Sequence, residues 1–249
     1  MNDHDLFLFD LQGFVTVPDA LNAAQLSELN AILDEHIAQD VAADVHTHRF
    51  GSLLDWGPAY RALIDLPTIT PYLEAFVNRQ FRLDHVYADI IRGGLGPVSG
   101  PIGTRLHGGA TPFDAAQYYH YHNGRIYYGL TVVAYNLHDV NPGDGGTGCV
   151  PGSHKSNLPY PDDWRNLDQL QPFMRAVTGP AGTALIFTEA LTHGTLPWNG
   201  THERRTIFFK YSPFPVSWSA GYFDASHYPD LTPRQKAILE APNARYGGR

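Results

Sequence analysis

From about Phe81 onwards the chain alternates short β-rich runs with glycine- and proline-rich turns, and no helix-length apolar period interrupts them. A parallel α/β sheet needs a helix between successive strands, so this half of the chain excludes that architecture. Phe81 to Ile91 has strand chemistry. Arg125 to Leu137 is rich in Tyr, Val, Ile and Thr and reads as one long strand entering a turn at Asn141-Pro142-Gly143-Asp144-Gly145-Gly146. Thr147 to Val150, Thr183 to Phe187 and Arg205 to Tyr211 read as three more. Helical signals sit ahead of this region. Asn22 and Gln25 form a capping box before Leu26, Leu29, Leu33 and Ile37, which predicts an amphipathic helix to about Gln39. A short strand over Gly13 to Val17 precedes it, and Leu63 and Ile69 to Phe76 suggest short helices. Thr232-Pro233-Arg234-Gln235 starts a last one. Helices first and strands after predict a mainly β fold, a β-sandwich or jelly roll buttressed by helices.

Composition removes several classes of function. A net charge of −8 repels phosphate backbones and anionic lipid, so neither nucleic acid nor a membrane surface is an expected partner. Cys149 is the one cysteine, which excludes an intrachain disulfide, a cysteine-rich zinc site and an iron–sulfur cluster. The acidic start Met1-Asn2-Asp3-His4-Asp5 is unlike a signal peptide, and no stretch approaches the roughly 18 apolar residues of a membrane span. A cytoplasmic chain, monomeric or homodimeric, acting on a small molecule is the expectation. Thirteen histidines make metal chemistry worth testing.

Iron enzymes that activate O2 commonly hold the metal with two histidines and one carboxylate, leaving the opposite face open. His193 stands in Thr192-His193-Gly194-Thr195 with Arg204 downstream, and His107 in Leu106-His107-Gly108-Gly109. A carboxylate two residues beyond His107 would share its side of a strand, yet Gly109 occupies that position. An arginine on a neighbouring strand can pair bidentately with a dicarboxylate, which lysine cannot match. Arg204 competes with Arg205 for this part, since adjacent strand residues face opposite sides. Spacing favours Arg204 and leaves Arg205 to solvent or an exterior acid.

Three segments carry a family resemblance. They are Phe9-Asp10-Leu11-Gln12-Gly13-Phe14-Val15-Thr16-Val17-Pro18 ahead of the capped helix, Gly145-Gly146-Thr147-Gly148-Cys149-Val150-Pro151-Gly152-Ser153-His154-Lys155, and His193 with Thr195 and Arg204 ahead of Arg205 to Tyr211. Across residues 9 to 211 the chain resembles the phytanoyl-CoA dioxygenase family of Fe(II)/2-oxoglutarate oxygenases. The resemblance implies a double-stranded β-helix (a cupin-like jelly roll) as a single domain over residues 1–249. It implies Fe(II), 2-oxoglutarate and O2 as cofactors, His107 and His193 as ligands, Arg204 on the distal carboxylate of 2-oxoglutarate and Thr195 beside it. Gly109 departs from the family's His-any-Asp pattern. Halogenases on related folds carry Gly or Ala there and bind halide, so chloride is a further candidate cofactor.

Hydroxylation of an unactivated C–H bond is the favoured outcome, because water or a displaced carboxylate such as Asp114 could fill the gap at Gly109. Chlorination at the open position is the alternative. A non-catalytic β-helix protein that binds a small ligand is the third, opposed by the cost of keeping Arg204 buried without its partner. Glu189 is a candidate to support His193 from the second layer. His120 and His122 read as exposed histidines of an aromatic loop, and His154 and Lys155 as parts of a turn. Asp139 and Asp144 are expected to cap the Asn141 turn. The expected substrate gates are Gly93 to Arg105, Tyr118 to Tyr128 and Asn157 to Phe173.

Overall fold

The opening helices begin on reciprocal caps. In α1 (Asp3–Gln12), Asn2 and Asp5 each bind the other's backbone N–H, and in α2 (Ala23–Asp40), Asn22 and Gln25 do the same. The spacing of Leu29 and Leu33, both buried, predicts α2. Nothing comparable predicts α1, whose run Leu6-Phe7-Leu8 has no helical period and which buries only Phe9. It ends at Gly13, where φ is 85° and the N–H returns to the Phe9 carbonyl. The computed structural model describes residues 1–103, 105–167, 171–242 and 244.

In chain order the remaining elements are β1 (Phe14–Val17), β2 (Thr47–Phe50), α3 (Pro58–Arg61), α4 (Thr70–Phe76), β3 (Phe81–Ile91), β4 (Tyr119–His122), β5 (Arg125–Tyr128), β6 (Thr131–Asn136), β7 (Gly146–Cys149), β8 (Arg175–Ala176), β9 (Ala184–Thr188), β10 (His193–Leu196), β11 (Arg204–Pro213) and α5 (Pro233–Leu239). Among the described residues, β1-β9-β6-β11-β3-β2 form a six-stranded antiparallel sheet. The order β10-β7-β8 makes a second sheet, and β4-β5 is a separate hairpin. This is the jelly roll expected from the sequence.

Alternation along the large sheet separates two packed layers. Ile207, Phe209 and Tyr211 of β11, Val133 and Tyr135 of β6, and Ile186 of β9 join Phe9, Leu29, Leu33, Tyr60 and Leu73 in the core shared with the helices. The opposite face sends Phe208, Val132, Ala134, Leu185 and Phe187 into a smaller cluster with Cys149 and Leu191, where the second sheet packs on the first. Pairing of β11 with β3 slips between Lys210 and Tyr211, leaving Asp84 without an opposite residue. The Asp84 carboxylate takes Arg82 Nη1 at 2.8 Å and the backbone N–H groups of Trp218 and Ser219 at 3.0 Å each, tying the segment after β11 to the sheet.

One expected element is corrected. Arg125 to Leu137 is two strands in different sheets, broken at Gly129 and Leu130. Their N–H groups bond Tyr118 O and Ala116 O, both at 2.7 Å. A Cβ at Gly129 would lie 2.2 Å from Ala116 O, so only glycine allows the close passage that turns the chain. Tyr118 to Tyr128 is accordingly not a loop. Asn123 and Gly124, with φ of 50° and 73°, form the tight turn of the β4–β5 hairpin, and Asn-Gly was the signal available for it.

Candidate active site

A cavity of about 770 Å3 opens between the two sheets, within the size range of small-molecule sites. His107 and His193 meet at its wall through a two-residue bridge, each donating its backbone N–H to the other's carbonyl at 2.8 and 2.9 Å. Their rings are 4.2 Å apart between centroids. Each Nδ1 faces a backbone carbonyl: Leu191 O at 2.7 Å for His193 and Arg105 O at 3.4 Å for His107. A carbonyl oxygen only accepts, so these contacts hold the proton on Nδ1 and turn Nε2 into shared space.

A third group reaches that space. Glu189, four residues before His193, places Oε2 at 3.7 Å from His193 Nε2. One donor atom from each of His107, Glu189 and His193 lies within 4.8 Å of the other two. The Lys210 ammonium donates to the other Glu189 oxygen, Oε1. Glu189 is 2% exposed. Burial alone would raise its carboxyl, but the Lys210 ammonium outweighs it and holds the group well below the usual carboxylate range. Burial and then the neighbouring His107 push His193 down to about 3, which keeps the ring neutral and able to ligate.

The loop bearing Glu189 and His193 is fixed from several sides. Glu189 N–H donates to Leu130 O at 2.9 Å, Leu191 N–H to Thr188 O at 2.9 Å, and Thr192 N–H to Ser153 Oγ at 2.8 Å. The Pro151-Gly152-Ser153-His154 element thus braces the candidate site from outside. Its buried His154 contacts Asp10 O through Nε2 at 2.9 Å, and Lys155 Nζ donates to the same carbonyl at 2.7 Å. Gly108 is required where it stands, because a Cβ there would fall 2.5 Å from Leu191 O and 2.7 Å from Glu189 O. Gly109 has φ +117°, a conformation that an aspartate rarely adopts.

Arg204 starts β11 on the same face as Thr206, Phe208 and Lys210, while Arg205 points outward to Asp34 at 2.6 Å and Glu203 at 2.7 Å. The Arg204 guanidinium is 1% exposed, and its Nη2 donates to Thr147 Oγ1 at 3.3 Å. Its Nε and Nη1 have no hydrogen-bond partner among the described residues. Thr147 pairs with Thr195, and both line the cavity. A buried guanidinium with two unpartnered donors is suited to an anionic ligand such as a carboxylate.

Asp114 does not approach the histidines. Its carboxylate caps the N–H groups of Ala116 and Gln117 at 2.7 and 2.8 Å, and it is not among the cavity-lining residues. His120 and His122 stack on the exposed hairpin. Asp144 caps the Asn141 turn as expected, whereas Asp139 reaches across to Ala181 N–H at 2.8 Å. Of the expected gates, Ile102, Gly103 and Arg105 line the cavity, as do Asp162 and Arg165, but the β4–β5 hairpin does not. Thr104 and residues 168–170 of those segments lie outside the described residues.

Sequence reasoning missed Lys210 and the Arg49–Asp89 pair, all of which line the cavity. Arg49 grips Asp89 through two bonds of 2.6 Å and lies 3.9 Å over the Tyr87 ring on the cavity wall. Asp89 and Lys210 are charged residues on the inward side of their strands, and two-residue periodicity from Arg204 would have marked Lys210.

Residues 102–206 match the phytanoyl-CoA dioxygenase family model, in line with the resemblance read from the sequence. Among solved structures, HygX from Streptomyces hygroscopicus with nickel and 2-oxoglutarate bound is similar at a TM-score of 0.77 and 23% identity, over 90% of this chain and 96% of that one. Its iron-bound form is similar at a TM-score of 0.74 and 22% identity, over 90% and 96%. The epimerase SnoN in complex with Fe3+, alpha ketoglutarate and nogalamycin RO is similar at 0.62 and 16% identity, over 86% and 84%. No curated protein sequence matches the chain. At these identities the structural likeness establishes the fold.

Proposed function

We propose that this chain is an Fe(II)/2-oxoglutarate-dependent oxidoreductase that hydroxylates a C–H bond of a small molecule. The observation that carries the proposal is the pairing of a His-Glu-His donor cluster, with Glu189 and His193 buried, with a buried arginine whose Nε and Nη1 are unpartnered among the described residues. His107 and His193 would hold iron through Nε2. Arg204 would bind the distal carboxylate of 2-oxoglutarate, and Thr195 and Thr147 flank that end of the cavity. Iron bound there supplies the oxygen chemistry, in which 2-oxoglutarate and O2 give succinate and CO2 and the second oxygen atom goes to substrate.

The chain's own residues position the reactants. Phe187 and Phe208 make part of the wall apolar and limit water near the histidines, while Trp218 offers a flat surface to substrate. Arg49, Asp89, Asp162 and Arg165 add polar groups, which suits a substrate carrying its own donors and acceptors. HygX with hygromycin B bound and SnoN with nogalamycin RO are similar structures holding molecules of that kind. A carboxylate beside the histidines favours oxygen transfer over chlorination, because the negative charge that chloride would restore is already present.

Anaerobic addition of Fe(II) and 2-oxoglutarate should produce a visible charge-transfer band, and admission of air should release succinate. Absence of both would end the oxidoreductase assignment. Once a substrate is found, the product should gain the mass of one oxygen atom with or without chloride; a chlorine adduct would reverse the choice of reaction.

A further inference from the structure

We propose that Glu189 is the third protein ligand of the metal centre, taking over the duty left vacant at Gly109, and that Lys210 holds its other oxygen so that it ligates through Oε2 alone. This rests on the functional assignment above and specifies how its metal is held.

The missing acid cannot be supplied near Gly109. Asp114 is committed to two backbone N–H groups. Glu189 reaches the centre from the other side, on the short loop between β9 and β10 that also delivers His193. Neighbouring ligands of an octahedral ion stand about 3 Å apart at bond lengths near 2.1 Å. Glu189 Oε2 and His193 Nε2 are 3.7 Å apart, so small side-chain rotations bring both onto one ion.

The donor chemistry points the same way. With Nδ1 donating to Leu191 O, the neutral His193 ring presents a lone pair to a carboxylate oxygen that also only accepts. Two acceptors facing each other across a buried gap are satisfied by a cation between them. Lys210 cannot be that cation, because it sits on Oε1 and over the Tyr87 ring at 5.3 Å. It occupies one oxygen and leaves the other for metal. A single oxygen from Glu189 and one nitrogen from each histidine fill three positions, and three remain for cosubstrate and O2.

The test is Co(II) titration of the metal-free protein without oxygen, followed by the visible d–d bands. The wild type should bind one equivalent, and His193→Ala should abolish binding. Glu189→Gln keeps the shape and an acceptor for Lys210 but weakens a metal bond; it should lower Co(II) affinity about 100-fold and shift the bands. Asp114→Asn should bind as the wild type does. If Glu189→Gln binds Co(II) with wild-type affinity and unchanged bands while His193→Ala does not bind, Glu189 is no ligand, yet the two-histidine site stands. If the wild type binds no Co(II), the functional assignment fails with it. Should Glu189→Gln not fold, the double variant Glu189→Gln/Lys210→Met, which removes both buried charges, is judged by the same criterion. Infrared difference spectra of the wild type on adding one equivalent of Co(II) need no variant. A shifted carboxylate stretch is expected, and a spectrum without one would overturn the proposal.

Discussion

His154 shows how far a residue's surroundings can move its chemistry. Burial, against the opposing pull of the Asp10 carbonyl, lowers it to about 4. In the unfolded chain it titrates near 6.5, so the folded state keeps it neutral where the unfolded state would protonate it. Its contribution to stability is therefore complete above about pH 6.5 and is lost as pH falls towards 4, by on the order of 3 kcal/mol. Urea unfolding midpoints should fall across that window, and His154→Gln should flatten the slope; an unchanged slope would place the acid sensitivity elsewhere. The same residue also shows what could not be read in advance. As one of thirteen histidines it carried no mark of burial, because its partner Asp10 lies far along the chain. Glu189 was legible only as a neighbour of His193. Its approach to His107 and Lys210 depends on three separate strands or loops meeting, which no local spacing encodes.

At the scale of elements, helices that carry their own caps were legible: α2 and α5 lie close to where their sequences place them. Local chemistry decides those ends, so a local reading suffices. The break between β5 and β6 was not legible, because β propensity continues through Tyr128 to Thr131 and the turn is imposed by Ala116 passing close by. Gly129→Ala should therefore cost more than the roughly 1 kcal/mol of an ordinary strand substitution. Chemical denaturation would show it, and a loss below about 0.5 kcal/mol would mean that the backbone can yield there. The same close passage is why the aromatic run folds into a hairpin set apart from the cavity and not into a gate.

At the scale of the whole molecule, the candidate metal residues line one cavity together with Thr147, to which Arg204 donates, so ligands bound there should stabilise the fold together. Co(II) at about 100 times its dissociation constant should add about 2.7 kcal/mol, or roughly 5–10 °C in Tm for a chain of this length. The increment from 2-oxoglutarate should be larger with Co(II) present than without it, as calorimetry would show. Independent increments would place the two ligands at separate sites. Both depend on β11, whose inward residues Arg204, Thr206, Phe208 and Lys210 alternate with Ile207, Phe209 and Tyr211 of the helix-facing core. Deleting one residue within this strand would not trim the site by one position. It would turn everything beyond the deletion over, driving an ammonium into the helix layer and aromatic rings into the cavity. Chemistry and folding are interleaved along one ribbon, so length variation in relatives should be confined to the segments at its two ends.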